Sequence, residues 1–426
     1  MGGAAGDTIV ALSSGRLPAA IAIVRCSGRG ALAAANTLAG SLPPPRHAGL
    51  RALRDPVDGS LIDRALVIHF PGPGTSTGED IVEFQCHGSR AVVTAVIAAL
   101  VTQPNVRAAE PGEFTRRSLA HGRIDLTQAE GLAELLEAES EAQRKSALLR
   151  AEGVLRRQIE QWRVALLDLA AEAEVAIDYA DEEDGAGNFE PARRLEQLRA
   201  EFRILILAPR VERLRDGVRI VIAGPPNAGK SSLLNALANE DRAIVTPIAG
   251  TTRDLVEVAL SFGGYPVTMV DTAGLRATAE TVERLGVHLA KREIERADVL
   301  LWLGEAADLP THPRNILVAS KSDLAPLRPG VQVSTVTGAG LDTLKSLMTE
   351  QAATLVPSGE QPALTGRESD LLAQARSALE RASALIDPVL IAEELRLART
   401  ALDRISGHQG VDALLDALFG RFCLGK

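Results

Sequence analysis

The sequence predicts a multidomain α/β protein: an α+β domain in front, a discontinuous helical domain, and an alternating α/β domain inserted between the helical halves. Three observations carry this reading. Residues 1 to about 118 alternate short apolar runs with Gly and Pro. From about Leu126 to Ile206, and again from Arg367 to Phe422, Ala, Leu, Glu and Arg dominate and Gly and Pro become scarce. Between these tracts a strand-helix alternation runs from Val218 to about Glu350. The expected boundaries are 1–118, 119–212, 213–357 and 358–426, the second and fourth segments forming one helical domain.

In the front domain, Ala20–Val24, Ala65–Phe70 and Asp80–Phe84 are apolar runs of strand length, and Ser89 to Val101 reads as a helix. In the helical tract Leu132, Leu135 and Leu136 fall on one face, and an acidic, Gly-containing loop interrupts it near Asp181 to Asn188. At the far end Leu414, Leu415, Leu418, Phe419 and Phe422 recur at helical spacing, so the last helix is expected to dock and hold the tail in place.

Bulk properties narrow the function. With 46% hydrophobic residues the chain can bury several cores. A net charge of -9 argues against broad, unspecific nucleic-acid binding, so RNA contact is expected to be local or borrowed from a partner. Cys26, Cys86 and Cys423 have no metal-ligand spacing and no evident pairing, which points to a reducing cytoplasm. No apolar run approaches the ~20 residues that span a bilayer, and no secretory leader is legible.

The strongest motif is Gly224-Pro225-Pro226-Asn227-Ala228-Gly229-Lys230-Ser231, between the strand Arg219–Ala223 and a helix beginning near Ser232. The glycines let backbone N–H groups face phosphates, and the helix N-terminus adds partial positive charge. Lys230 is placed to reach the β- and γ-phosphates and Ser231 to bind Mg2+. Further motifs follow in the order of a GTPase. Gly250–Asp254 fits a switch loop whose threonine completes the Mg2+ shell. The strand Val267–Val270 runs into Asp271-Thr272-Ala273-Gly274, where Asp271 holds Mg2+ through water and the Gly274 N–H senses the γ-phosphate. The strand Ile316–Ala319 runs into Ser320-Lys321-Ser322-Asp323, where a carboxylate can accept from guanine N1–H and its 2-amino group. The insert is therefore expected to be a Ras-like P-loop GTPase domain with GTP as substrate.

Two positions depart from the usual pattern. Ser320 stands where Asn is usual and is too short for the amide contact to the base, a loss of about 0.5–1.5 kcal/mol. Leu275 stands where many GTPases place a water-orienting Gln. Glu283 is the best nearby substitute, although its chemistry fits an ordinary solvated carboxylate equally well.

The phosphate loop with its flanks, Ala249–Asp254 and Asp271–Arg276 resemble the MnmE (TrmE) family of tRNA-modification GTPases. So do Gly78–Glu83, Pro111–Arg117, Ile124–Glu130 and the terminus Phe422-Cys423-Leu424-Gly425-Lys426. The resemblance covers essentially the whole chain. It implies an N-terminal domain that binds a tetrahydrofolate (5,10-methylene- or 5-formyl-) and forms a homodimer. It also implies an MnmG-type FAD protein as partner, and addition of an aminomethyl or carboxymethylaminomethyl group to C5 of the wobble uridine of certain tRNAs.

Residue by residue, the resemblance makes Glu283 the catalytic carboxylate. Ser231 and Thr252 become Mg2+ ligands, and Asn227, with Thr246, Ile248 and Thr251, K+ ligands. Arg25, Glu83, Arg123 and Lys426 become folate-site positions, Arg123 standing where lysine is common. The expected GTP contacts are Asn227, Ala228, Gly229, Lys230, Ser231 and Ser232, then Thr246, Pro247, Ile248, Ala249, Gly250, Thr251 and Thr252. Asp271, Thr272, Ala273 and Gly274 follow, then Ser320, Lys321, Ser322 and Asp323, and finally Ser334, Thr335 and Val336. Cys423 reads either as a nucleophile or as a small apolar filler. Two other readings share the GTPase motifs: an rRNA-binding GTPase of the Era or Der type, which calls for a basic RNA-binding module, and a nucleotide switch with no chemistry of its own.

Overall fold

The computed structural model describes residues 6–178, 189–240, 256–272, 291–324, 328–407, 418–420, 422 and 425. The chain divides into two compact units, Met1–Ala133 with Ser406–Lys426, and Glu134–Ile405.

The first unit is built on a six-stranded sheet. Its strands are β1 (Thr8–Leu12), β2 (Ile21–Ser27), β3 (Gly49–Arg54), β4 (Leu61–Phe70), β5 (Ile81–His87) and β6 (Val106–Ala108), in the order β3-β4-β5-β2-β1-β6. Neighbours run antiparallel except β1 and β6. Alternation sets the two faces. Val24, Val67, Leu53 and Phe84 point to one side and pack with Leu38 of α1 (Ala31–Ala39) and Val96 and Leu100 of α2 (Arg90–Val101). Ser89 caps α2 by accepting the Val92 N–H. On the other side of β1, Ile9 and Ala11 meet Phe114 of α3 (Glu113–Ala120). α4 (Leu126–Glu137) contributes Leu126, Ala129 and Ala133 to a small core with Leu418, Phe419 and Phe422.

The second unit holds a helical core and a second sheet. α5 (Glu141–Ala151), α6 (Val154–Asp178), α7 (Ala192–Leu207) and the short α8 (Glu212–Asp216) come first. The sheet follows, with β7 (Val218–Ala223), α9 (Lys230–Glu240), β8 (Val256–Phe262), β9 (Tyr265–Asp271), β10 (Val299–Trp302), β11 (Asn315–Ser320), β12 (Val331–Val333) and α10 (Leu341–Leu355). The chain then returns to helices, α11 (Gly366–Ser383) and α12 (Pro388–Ser406). Leu155, Ile159, Trp162, Leu166 and Leu169 recur every three or four residues on α6 and close a core with α7, α11 and α12. Strand order is β12-β11-β10-β7-β9-β8, parallel throughout except for β8 against β9. The chain leaves and rejoins the helical core at one place, where the Val211 N–H donates to the Leu364 carbonyl (3.0 Å) and the Gly366 N–H to Glu212 Oε1 (2.7 Å). Among the described residues no helix is long and apolar enough to cross a membrane.

The alternation expected up to Glu350 is not strict: β8 turns straight back into β9 as a hairpin. β10 returns to β11 through a single 3-10 turn, Ala306–Asp308, and not through a helix. The connection carries Gly304, Pro310 and Pro313, and proline removes a donor and clashes with the preceding turn in a helix interior.

An ion network braces the first unit. Arg107 binds Asp7 (2.7 Å) and grips both oxygens of Glu113 (2.5 and 2.8 Å). Arg117 binds Asp7 (2.6 Å), Glu79 (3.1 Å) and Glu113 (3.2 Å). Burial pushes the Asp7 and Glu113 carboxyls up, but the guanidiniums outweigh it, and both are held below the ordinary carboxylate range. Because the folded values are depressed, this contribution to stability is complete above the unfolded values near pH 4 and lost as pH falls through the folded ones. Arg117→Met is expected to move the midpoint of acid unfolding upward by about half a pH unit or more, followed by circular dichroism. An unmoved midpoint would sink this account of the network.

Candidate functional site

Parallel strands deliver their C-terminal ends to one edge of the sheet. The phosphate loop leaves β7, which lies between β9 and β10 where the chain order reverses; a crevice forms at such a point. The loop turns through positive φ at Gly224 (147°), Asn227 (60°) and Gly229 (94°). Asparagine tolerates this region better than most residues. Lys230, buried at the first position of α9, donates to the carbonyls of Gly224 (2.9 Å) and Pro225 (2.8 Å). Its ammonium is thus held on its own loop, the one expected to cradle phosphate.

Ser231 Oγ donates to Asp271 Oδ2 at 2.5 Å, joining the loop after β7 to the end of β9. A hydroxyl and a carboxylate at one point beside a phosphate loop are hard oxygen ligands, the donor set Mg2+ takes. Thr272 Oγ1 donates to the Ile222 carbonyl (2.9 Å), tightening the same junction.

The segment expected to read guanine is tied to the phosphate loop twice. Ser320 Oγ donates to the Ala228 carbonyl (2.6 Å), and Lys321 Nζ to the Asn227 carbonyl (2.8 Å). Serine is too short for the base but long enough for the tether, a role the sequence reading missed; an uncommon residue in a well-formed motif was its only signal. Asp323 is exposed in the turn that follows. Ser334 is fully buried, and its hydroxyl accepts the Val336 and Thr337 N–H groups (3.3 and 3.2 Å). It shapes its turn and leaves Val336 82% exposed. A cavity of about 960 Å3 opens along the phosphate loop, lined among the described residues by Gly224, Asn227, Thr272, Trp302, Ser320 and Lys321.

The expected residues Thr246, Pro247, Ile248, Ala249, Gly250, Thr251, Thr252, Ala273, Gly274, Glu283, Cys423 and Lys426 lie outside the described residues.

In the first unit Arg25 and Glu83 face each other across β2 and β5, with nitrogen-to-oxygen distances of 2.9 and 2.8 Å. The Arg25 guanidinium also lies 5.7 Å from the Phe114 ring centre. Arg123 Nε donates to the Thr75 carbonyl (3.1 Å). Near the terminus, Ser13 Oγ donates to the Gly425 carbonyl (2.8 Å). Gly425 has φ 93°, and a Cβ there would stand 2.0 Å from the Leu12 carbonyl oxygen, so glycine is required. Leu12 pairs with Val24, the residue before Arg25, so Gly425 is seated on the strand that neighbours the one carrying Arg25. Burial pushes the Cys26 thiol up to about 12 and raises that of Cys86, so both are inert fillers.

Fold and loop chemistry together define a P-loop GTPase, a GTP-hydrolysing enzyme. The chain matches the family described as "MnmE helical domain" over residues 126–423, and "GTP-binding protein TrmE N-terminus" over residues 8–123. It is 48% identical over 433 residues to the tRNA modification GTPase MnmE of Rhizorhabdus wittichii, covering 100% of this chain and 98% of that protein. It is 46% identical over 441 residues to the protein of the same name from Novosphingobium aromaticivorans, covering 99% and 100%. The chain belongs to the MnmE family of tRNA modification GTPases.

The Ser320 tether and the Asp323 carboxylate are expected to have different weights. Ser320→Ala removes one hydrogen bond and is expected to speed release of a fluorescent GTP analogue by about two- to tenfold. Asp323→Asn is expected to weaken GTP and favour xanthosine triphosphate, whose base offers an acceptor there. Base preference that stays unchanged in the Asp323 variant would remove that residue from the guanine site.

Proposed function

We propose that this chain is a K+-activated GTPase. With an MnmG-type flavoprotein, it adds an aminomethyl or carboxymethylaminomethyl group to C5 of the wobble uridine of certain tRNAs in the cytoplasm, drawing one carbon from a tetrahydrofolate. The observation that supports the one-carbon part is that Gly425 is seated at the end of β1, whose Leu12 pairs with Val24 next to Arg25, itself bonded to Glu83. Arg25, Arg123 and Lys426 are cations suited to a folate's glutamate tail, and Glu83 can accept from pterin N–H groups. A bound tetrahydrofolate supplies the carbon at the level of a methylene or formyl group; the chain's own residues hold and orient it.

In the GTPase site Lys230 turns from its loop carbonyls to the β- and γ-phosphates. Ser231 and Thr252 would hold Mg2+, with Asp271 fixing Ser231. Asn227, with the carbonyls of Thr246, Ile248 and Thr251, would hold K+, and a bound cation there would supply positive charge against the negative charge building on the phosphates during cleavage. Glu283 orients the attacking water that Leu275 cannot. The homodimer has support in the first sheet. Ile21, Leu50 and Leu66 share the face opposite α1 and α2 and are 60, 61 and 42% exposed, an apolar surface suited to a second copy. GTP-dependent meeting of the G domains then drives a conformational cycle.

Analysis of tRNA nucleosides from cells lacking the gene tests the whole reading; unchanged wobble uridines would overturn it. At equal ionic strength, GTP turnover should be far faster in K+ than in Na+. Glu283→Ala should lower turnover by ~10²–10³ with GTP affinity nearly intact. Equal rates in the two salts, or a loss under about threefold in the variant, would reject the respective role. Deleting Leu424 to Lys426 should weaken binding of 5-formyltetrahydrofolate, measured by titration calorimetry, while GTP hydrolysis persists; wild-type affinity would take the tail out of the site.

A further inference from the structure

The β8–β9 hairpin has one end at the nucleotide and the other on a helix outside its sheet. β9 finishes at Asp271, which holds Ser231, and β8 begins just after Gly250–Asp254. Arg219 on β7 clasps this end of the ribbon through Glu257 (2.8 Å) and reaches Glu293 (2.5 Å) in the helical residues 291–296. At the hairpin tip the Gly264 carbonyl accepts the Ala142 N–H (3.1 Å) from the first turn of α5. Ala142 is buried in the sheet's own core, not the helical one. The same turn is held by a Ser140–Gln143 capping box, and Gln143 Nε2 donates to the Leu214 carbonyl (2.8 Å).

The other end of α5 is anchored elsewhere. Arg150 is fully buried and donates to the Ala363 carbonyl (2.9 Å) and to both oxygens of Glu368 (2.9 and 3.1 Å). Glu368 accepts the Thr365 N–H (2.7 Å) and so opens α11. Eleven helical residues span about 16 Å and cannot be stretched without breaking backbone hydrogen bonds. α5 therefore runs from the tip of the nucleotide-facing ribbon to the first turn of a core helix, fixed at both ends.

We propose that α5 is the strut through which the state of the nucleotide site reaches the helical core, with the Gly264–Ala142 contact as its input and the Arg150–Glu368 pair as its output. A shift of Asp271 or of the start of β8 moves a two-stranded ribbon whose tip bears on α5. The displacement emerges at residues 363–368, where the chain rejoins the core. Coupling of this displacement to tRNA modification rests on the function proposed above; the strut itself does not.

The test compares amide hydrogen exchange in the full-length protein, loaded with GDP or with a non-hydrolysable GTP analogue in K+ and Mg2+. Protection in residues 141–151 and 363–368 is expected to differ about tenfold between the two states. Identical exchange in both segments overturns the proposal without any variant. Gly264 has φ 85°, and a Cβ there would lie 3.5 Å from Glu141 Cβ. Gly264→Asn keeps the left-handed turn and an ordinary contact, and is expected to behave as wild type. Gly264→Val is expected to abolish the difference at 363–368 while that at 224–231 persists and GTP turnover stays within about threefold. A difference at 363–368 that survives in Gly264→Val overturns the proposed route. Wobble-uridine nucleosides from cells carrying Gly264→Val form a separate arm. Their loss supports the link to modification, and unchanged nucleosides beside an abolished exchange difference overturn that link alone.

Discussion

Arg150 and Glu368 form an ion pair with no solvent exposure on either side chain. Burying two charges costs several kcal/mol each, and attraction offsets this only with good geometry and every remaining group satisfied. Here the geometry is a two-pronged grip, with the Ala363 carbonyl and the Thr365 N–H as further partners. Burial pushes the Glu368 carboxyl up, but Arg150 outweighs it and the group stays ionised. The pair joins α5, the 363–365 segment and the cap of α11 at one point. The neighbouring bonds from Val211 to Leu364 and from Gly366 to Glu212 hold the place where the sheet's chain leaves and returns. An inserted domain needs both of its connections fixed together, and this cluster fixes them.

The nucleotide edge follows the same logic with smaller forces. Loops after β7, β9 and β11 meet because parallel strands end on one edge, but nearness alone does not set a binding geometry. The Ser231–Asp271, Ser320–Ala228 and Lys321–Asn227 bonds set it. Each is ordinary in energy, about 1 kcal/mol net and more where a charge takes part. Together they join the phosphate loop, the end of β9 and the turn after β11. In the first unit the Arg107–Arg117 network ties Asp7, Glu79 and Glu113 together, and Ser13 holds Gly425 in place.

Much of this was legible in the sequence. The phosphate loop announces itself because its strand, glycines, lysine and helix start are contiguous, and the helical tracts because Ala, Leu, Glu and Arg dominate them while Gly and Pro are scarce. The helix from Ser89 to Val101 was readable too, and the structure makes Ser89 its cap. The connection from β10 to β11 was expected as part of an alternation, yet its prolines outweighed the pattern. Ser334 stood as a candidate base contact and is the buried builder of its turn. Glu113 and Arg117 were visible only as parts of a signature, although their spacing of four on a helix was a physical hint of an ion pair.

What the chain states locally, it states by itself: the order of motifs, the helical faces, the apolar strands and the glycine before its terminal lysine. These depend on residues within a turn or a strand of each other, where spacing and chemistry are both on view. Folding alone brought together Ser13 and Gly425, 412 residues apart, and Arg150 and Glu368, 218 apart. It also assigned Ser320 to the Ala228 carbonyl and the Gly264 carbonyl to Ala142. No period or spacing encodes such pairs. A hydrogen bond across folded elements depends on where packing leaves two backbones, and that position is a property of the whole core.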